Sequence, residues 1–267
     1  MARSSPPPTA GLRLNRALLW FSRRWLRIAL VFIGLYAALP ILTPVFMRVG
    51  LTGPATVLYS LYSPFCHQFV FRSLFLFGEQ PAYPRAITGT SETPFEVYAA
   101  QDPVFIERYR FWYAQFNGGE DPGPVTTESL SDFTPWLQFA ARDWVGNPQM
   151  GYKMTLCARD VAIYTALFAG GLVYSIPNVR RRLRPAPFLL LLFLGVGPIA
   201  IDGFSQLFGY PPFNLWPPRE TLPIFRVVTG ALFGLMGAWF VFPHLDQSMR
   251  ETRLEIEAKL RRAGLPV

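Results

Sequence analysis

Three arginine clusters decide what this chain can fold into. Arg13, Arg16, Arg23, Arg24 and Arg27 form the first, Arg180, Arg181, Arg182 and Arg184 the second, and Arg250, Arg253, Lys259, Arg261 and Arg262 the third. Between them run apolar stretches at 28–48, 152–176, 188–208 and 224–243. A bilayer core takes about 20 mostly apolar residues per helix, which these runs meet or approach. With four spans all three basic clusters fall on one face, and cytoplasmic loops carry the Lys/Arg excess. Three or five spans would divide them. The expected fold is an all-α membrane protein of about four transmembrane helices, lying in the plasma membrane with both termini cytoplasmic.

Charged residues make up only 16% of the 267 positions, against about 25% in an ordinary soluble domain. The net charge of +8 sits in the membrane-flanking clusters rather than along one amphipathic face, which argues against a nucleic-acid partner. The partners expected are the lipid bilayer and either another membrane protein or further copies of this chain. The run at 28–48 exceeds the roughly 7–15 residues of a signal-peptide core, so it reads as a retained anchor. Pro40 and Pro44 should kink it or end its regular part early. Residues 1–27 read as a basic cytoplasmic tail whose first dozen residues are disordered. Residues 244–267 read as a cytoplasmic tail holding a short charged helix.

The long connection between the first two spans cannot lie in lipid. Residues 49–80 read as an interfacial segment, with a short helix over 51–64. Residues 81–151 form an extracytoplasmic insertion rich in Pro, Gly and aromatics, with amphipathic helices expected over 95–116 and 133–145. Trp112, Trp136 and Trp144 suit either a surface meeting headgroups or a partner, or a cap packed by its own aromatics.

This topology gathers costly polar residues at the face opposite the arginine clusters. Cys66, His67, Gln68 and Arg72 precede the insertion, Cys157, Arg159 and Asp160 open the second span, Asp202 and Gln206 close the third, and Arg226 opens the fourth. Cys157, Asp160 and Tyr164 share one helical face, as do Asp202 and Gln206. Ionisable groups near lipid pair with one another, and Arg226 is expected to pair with Asp202 or Asp160. Cys66, His67, Cys157 and Asp160 form a plausible tetrahedral donor set for zinc or another divalent metal. A disulfide between Cys66 and Cys157, the only cysteines, is an alternative. A third reading makes them two unconnected buried residues. Haem is disfavoured because His67 and His244, the only histidines, fall near opposite faces. A Cys–His hydrolase lacks a recognisable oxyanion hole. The Gly230/Gly234 pair points to close helix packing.

The ordered motifs Cys66-His67-Gln68, Arg72-Ser73, Phe75-Leu76-Phe77-Gly78-Glu79-Gln80, Leu156-Cys157-Ala158-Arg159-Asp160, Ile201-Asp202-Gly203, Gln206 and Arg226-Val227-Val228-Thr229-Gly230 resemble a family of small prokaryotic multi-pass membrane proteins known as a domain of unknown function. The resemblance covers 57–80 and 152–240; it implies a multi-pass fold and no established activity. It also implies Cys-x-x-Cys where this chain has Cys157-x-x-Asp160, a weaker set for a soft metal, and a shorter link than 81–151.

Two functions remain in view. One is a metal- or thiol-dependent protein working from the outer side. The other is a non-catalytic accessory subunit that docks a partner through 81–151. A transporter is weaker, since four spans without an inverted repeat would need dimerisation. The residues do not decide whether the chain is an enzyme.

Overall fold

The computed structural model describes residues 10–266; positions 1–9, most of the stretch expected to be disordered, lie outside the described residues. The first basic cluster is helical rather than a tail. It forms the opening of α1 (Ala10–Arg48), and Pro40 and Pro44 lie inside this helix without ending it. After α2 (Thr52–Tyr62) the chain builds a cap from β1 (Ser73–Leu76), α3 (Phe95–Ala99), α4 (Pro103–Phe116), α5 (Pro135–Asp143), β2 (Gly146–Asn147) and β3 (Gly151–Cys157). It then returns through α6 (Ala158–Ser175), α7 (Pro177–Arg182), α8 (Phe188–Leu190), a π-helical stretch (Leu191–Val196), α9 (Gly197–Leu207) and α10 (Pro223–Arg262).

The expectation of an all-α chain needs correction, because the cap contains a three-stranded antiparallel sheet in the order β1-β3-β2. The run read from sequence as one helix over 152–176 is strand as far as Cys157 and helix from Ala158. Gly151, at φ +72°, starts the strand, and a Cβ there would lie 2.1 Å from the Leu76 carbonyl oxygen. Only glycine lets the two strands close at that point. The pairing sets Ser73 opposite Cys157 and Phe75 opposite Lys153.

The cap has its own core, in which Phe71, Phe75, Tyr83, Phe95, Phe105, Leu137, Trp144 and Met150 are buried. The helix expected over 95–116 is two helices, since Pro103 opens α4 and Asp102 caps it by accepting from the Val104 and Phe105 amides. The three tryptophans divide. Trp144 is core, Trp136 is half-buried with Nε1 donating to the Tyr109 hydroxyl at 3.0 Å, and Trp112 stacks on Phe139.

Among the described residues three helices are long and apolar enough to cross a membrane: Ala10–Arg48, Phe188–Leu207 and Pro223–Arg262. α6 has 18 residues and carries Arg159 and Asp160 in its first turn. It packs against α1 and α10. A Cβ at Gly230 or Gly234 would lie 2.4 or 2.3 Å from the carbonyl oxygen of Arg159 or Ile163, so the α10 backbone touches α6 along the Gly-xxx-Gly pair. With 40 residues, α10 is about 60 Å long at 1.5 Å per residue. That is about twice the hydrocarbon thickness, so it runs on past its apolar part. The charged stretch expected as a separate helix is the continuation of α10. It meets the start of α1 through Leu19, Ile256 and Leu260 and through an Arg23–Glu257 ion pair at 2.9 Å.

Candidate functional site

The sheet brings together cysteines 91 residues apart in the chain. Cys66 lies in the turn after α2, and Cys157 ends β3 and caps α6. The Cys66 Sγ accepts the Cys157 amide at 3.2 Å and the Gln68 amide at 3.4 Å. The Cys157 thiol donates to Asp160 Oδ2 at 3.1 Å, one turn along α6. Donor atoms of Cys66, Cys157 and Asp160 all lie within 4.8 Å of one another. Both cysteines are free thiols. His67 is not in this group; its ring packs against Phe69 at 5.2 Å.

Two backbone amides aimed at one sulfur favour its thiolate. Hydrogen bonding from Cys157 and from the Gln68 amide holds the Cys66 thiol below its ordinary range, against the upward push of burial and of Asp160. A deprotonated sulfur is the form that binds metals and attacks electrophiles.

The turn that aims the Gln68 amide is strained, with Gln68 at φ +56°. Its surroundings hold it there. Gln68 Nε2 donates to the Tyr59 carbonyl at 2.9 Å, and the Gln68 carbonyl accepts from Lys153 Nζ at 2.8 Å. Lys153 is fully buried and also donates to the carbonyls of Arg142 at 2.6 Å and Ala141 at 3.3 Å. Burial pushes its amine down to about 7, opposed by Asp143 and Cys66. One buried lysine thus ties the Cys66 turn to α5 and to the strand that delivers Cys157. The sequence reading missed it. The signal was a lone lysine in an apolar stretch, and it was absorbed into a supposed transmembrane helix.

Next to the thiols lies a layer of arginines and carboxylates. Arg226 does not pair with Asp202 or Asp160 as expected. Its guanidinium donates to Glu220 at 2.7 Å and to the Gln206 side-chain oxygen at 2.6 Å. Glu220 also accepts two bonds from Arg72 and one from the Tyr210 hydroxyl at 3.2 Å. Asp202 accepts from Arg159, Thr221 and, at 3.0 Å, Arg219. Burial pushes Glu220 up, but Arg72 and Arg226 outweigh it and hold the carboxyl below its usual range. The residues singled out by sequence, Arg72, Arg159, Asp202, Gln206 and Arg226, do meet here, while Gln68 belongs to the thiol turn. Arg219, Glu220 and Thr221 went unnoticed; the pointer to them was a charged pair in the proline-rich connector between α9 and α10.

Residues 149–240 match the model of a family described as "Predicted membrane protein (DUF2085)". The likeness covers about a third of the chain. The matched stretch contains Cys157, Asp160 and the whole α9–α10 part of the arginine layer, and it begins after Cys66. An uncharacterized protein of Methanocaldococcus jannaschii is 29% identical over 93 residues, which is 35% of this chain and 54% of that protein. The match therefore spans about half of the relative's length. No solved structure matches. This likeness to a predicted membrane protein family and the three apolar helices together make this a membrane protein.

Proposed function

We propose that Cys66, Cys157 and Asp160 bind a soft divalent cation of the zinc class on the extracytoplasmic side of the plasma membrane. The supporting observation is the convergence of two thiols and a carboxylate within 4.8 Å, from segments that only the sheet brings together. Two sulfurs and one oxygen leave a fourth tetrahedral position for water or a substrate, the pattern of an open zinc site rather than a closed structural one. In this reading His67 is a neighbour and not a ligand.

The same proposal takes four helices across the bilayer: α1, α6, the Phe188–Leu207 helix and α10. α6 is the least apolar of them, and its Gly170 and Gly171 press against Ala238, Leu30 and Phe242 rather than lipid. Protein contact on that side reduces the apolarity it needs. The basic clusters then share the cytoplasmic face with both termini.

Metal quantification on detergent-purified protein tests the site. Stoichiometric zinc, lost in both Cys66→Ser and Cys157→Ser and retained in His67→Ala, is the expected outcome. A metal-free protein whose two thiols become reactive only after reduction would replace the metal by a disulfide.

A second reading rests on the outer face of the cap. Phe111 and Phe116 are half exposed there, beside Trp112 stacked on Phe139 at 4.6 Å. Such a patch fits an accessory subunit that docks a membrane partner, or a second copy of itself, through 81–151. Loss of a co-purifying partner or of the oligomer in Phe111→Asp and Phe116→Asp is its test.

A further inference from the structure

The arginine layer is not closed. It forms one wall of a cavity of about 690 Å³ between the cap and the ends of α6, α9 and α10, lined by Arg72, Arg159 and Arg226 and by apolar Phe133, Leu207 and Tyr210. That volume lies within the roughly 300–1,000 Å³ of small-molecule pockets. No thiol lines it.

Charge in the layer is unbalanced. Four arginines, Arg72, Arg159, Arg219 and Arg226, share two carboxylates, Asp202 and Glu220. Donors are in surplus as well. Arg159 Nε and Arg226 Nε are buried without a hydrogen-bond partner among the described residues. The Arg226 side chain is only 5% exposed, and it lines the cavity. A native structure seldom leaves buried guanidinium donors unsatisfied, and the missing acceptor is a pointer to a ligand. Arginine forks match phosphate oxygens in geometry and charge. The other walls are mostly apolar, with Thr134, Gln138 and Gln206 among them, and α9 presents Leu207, about half exposed, to the cavity. A polar head and a hydrophobic path therefore adjoin.

We propose that this cavity binds a phosphate-class anion, with the apolar walls taking the tail of an amphiphile that carries it. The inference does not rest on a metal at the thiols. The same oxyanion chemistry is offered by a lipid phosphate monoester and by free phosphate, and binding separates the two.

The test is titration calorimetry on the full chain in nonionic detergent with dihexanoyl phosphatidic acid, dihexanoyl phosphatidylcholine and inorganic phosphate. Phosphatidic acid should bind at least tenfold more tightly than phosphatidylcholine, a difference of about 1.4 kcal/mol. Inorganic phosphate weaker than phosphatidic acid identifies the lipid as the source, and equal affinity identifies the free anion; both support the oxyanion site. Arg226→Gln should weaken binding. Because that variant also removes an ion pair, Gly203→Leu is the second arm. Gly203 lines the cavity, and a Cβ there meets only Arg159 Nη1, at 3.9 Å. A leucine at this position should fill the space, keep every charge and the melting temperature, and cost at least a tenfold loss of affinity. Equal binding of phosphatidic acid and phosphatidylcholine, no binding of either anion, or unchanged binding in Gly203→Leu would overturn the proposal.

Discussion

Both ends of the helical bundle bury carboxylates among arginines, yet they solve the problem differently. At the basic end a single carboxylate, Asp246, accepts from Arg180, from Arg250 at 2.6 Å and from Trp25 Nε1 at 3.2 Å. Burial would raise that carboxyl, but the two arginines outweigh it and hold it at about 2. Arg180 and Arg250 are 36% and 54% exposed, so their remaining donors reach water. At the capped end two carboxylates serve four arginines and two guanidinium donors stay empty, while cavities lie beside both ends, about 690 Å³ here and about 390 Å³ at Asp246. The first arrangement is complete and explains itself as a brace between helices. The second is incomplete, and incompleteness at a buried charge is what marks a binding site.

Removing a carboxylate from each end tests this contrast most severely. Glu220→Gln strands Arg226 and most of Arg72 in a dry environment and should cost roughly 3–5 kcal/mol, read as a large drop in melting temperature in detergent. Asp246→Asn leaves arginines that can turn to water and should cost only about 1–3 kcal/mol. Equal losses, or the reverse order, would dissolve the distinction between brace and site. Along α10 between the ends, Gly234→Ala forces a Cβ toward the Ile163 carbonyl and should destabilise by about 1–3 kcal/mol. Gly237→Ala meets nothing within 4 Å and should be neutral or slightly stabilising.

A separate set of effects is in pH. Asp246 binds its proton more weakly folded than unfolded, so its contribution is intact above about 4 and is lost as pH falls toward about 2. Lys153 also binds its proton more weakly folded, so stability should rise as pH climbs from about 7 toward 10.5, where the unfolded lysine releases its own. Asp246→Asn should flatten only the acid limb of a melting-temperature profile and Lys153→Met only the alkaline one. One variant altering both limbs would mean that the two ends are coupled.

What the sequence disclosed follows the same division. Three of the apolar helices were legible because uncharged runs of their length have few other homes, and the basic clusters at 180–184 and 250–262 stood out beside them. β3 was not legible. Its residues lie against the apolar start of α6, and a strand is defined by partners, here β1 some 80 positions earlier, that local pattern does not reveal. The polar residues of the site were named almost completely, but their pairing was not. Arg226 was assigned to carboxylates on neighbouring helices, whereas the connector after α9 folds Glu220 back onto it. His67 completes a tetrahedral donor set on paper, but in the fold its ring sits on Phe69, outside the group formed by Cys66, Cys157 and Asp160.

The unbroken course of α10 has a mechanical consequence. Arg226 in the cavity wall and Asp246 in the brace stand on the same rod, about 30 Å apart along its axis. A tilt imposed at one is delivered to the other unless something between them bends. The weak point is Pro243, whose missing N–H removes a rung of the helix ladder. It is clamped, since Phe242 beside it packs between Trp25 and Tyr174. A ligand that tilted α10 at the cavity would swing its charged end, with those three rings setting how stiff the lever is.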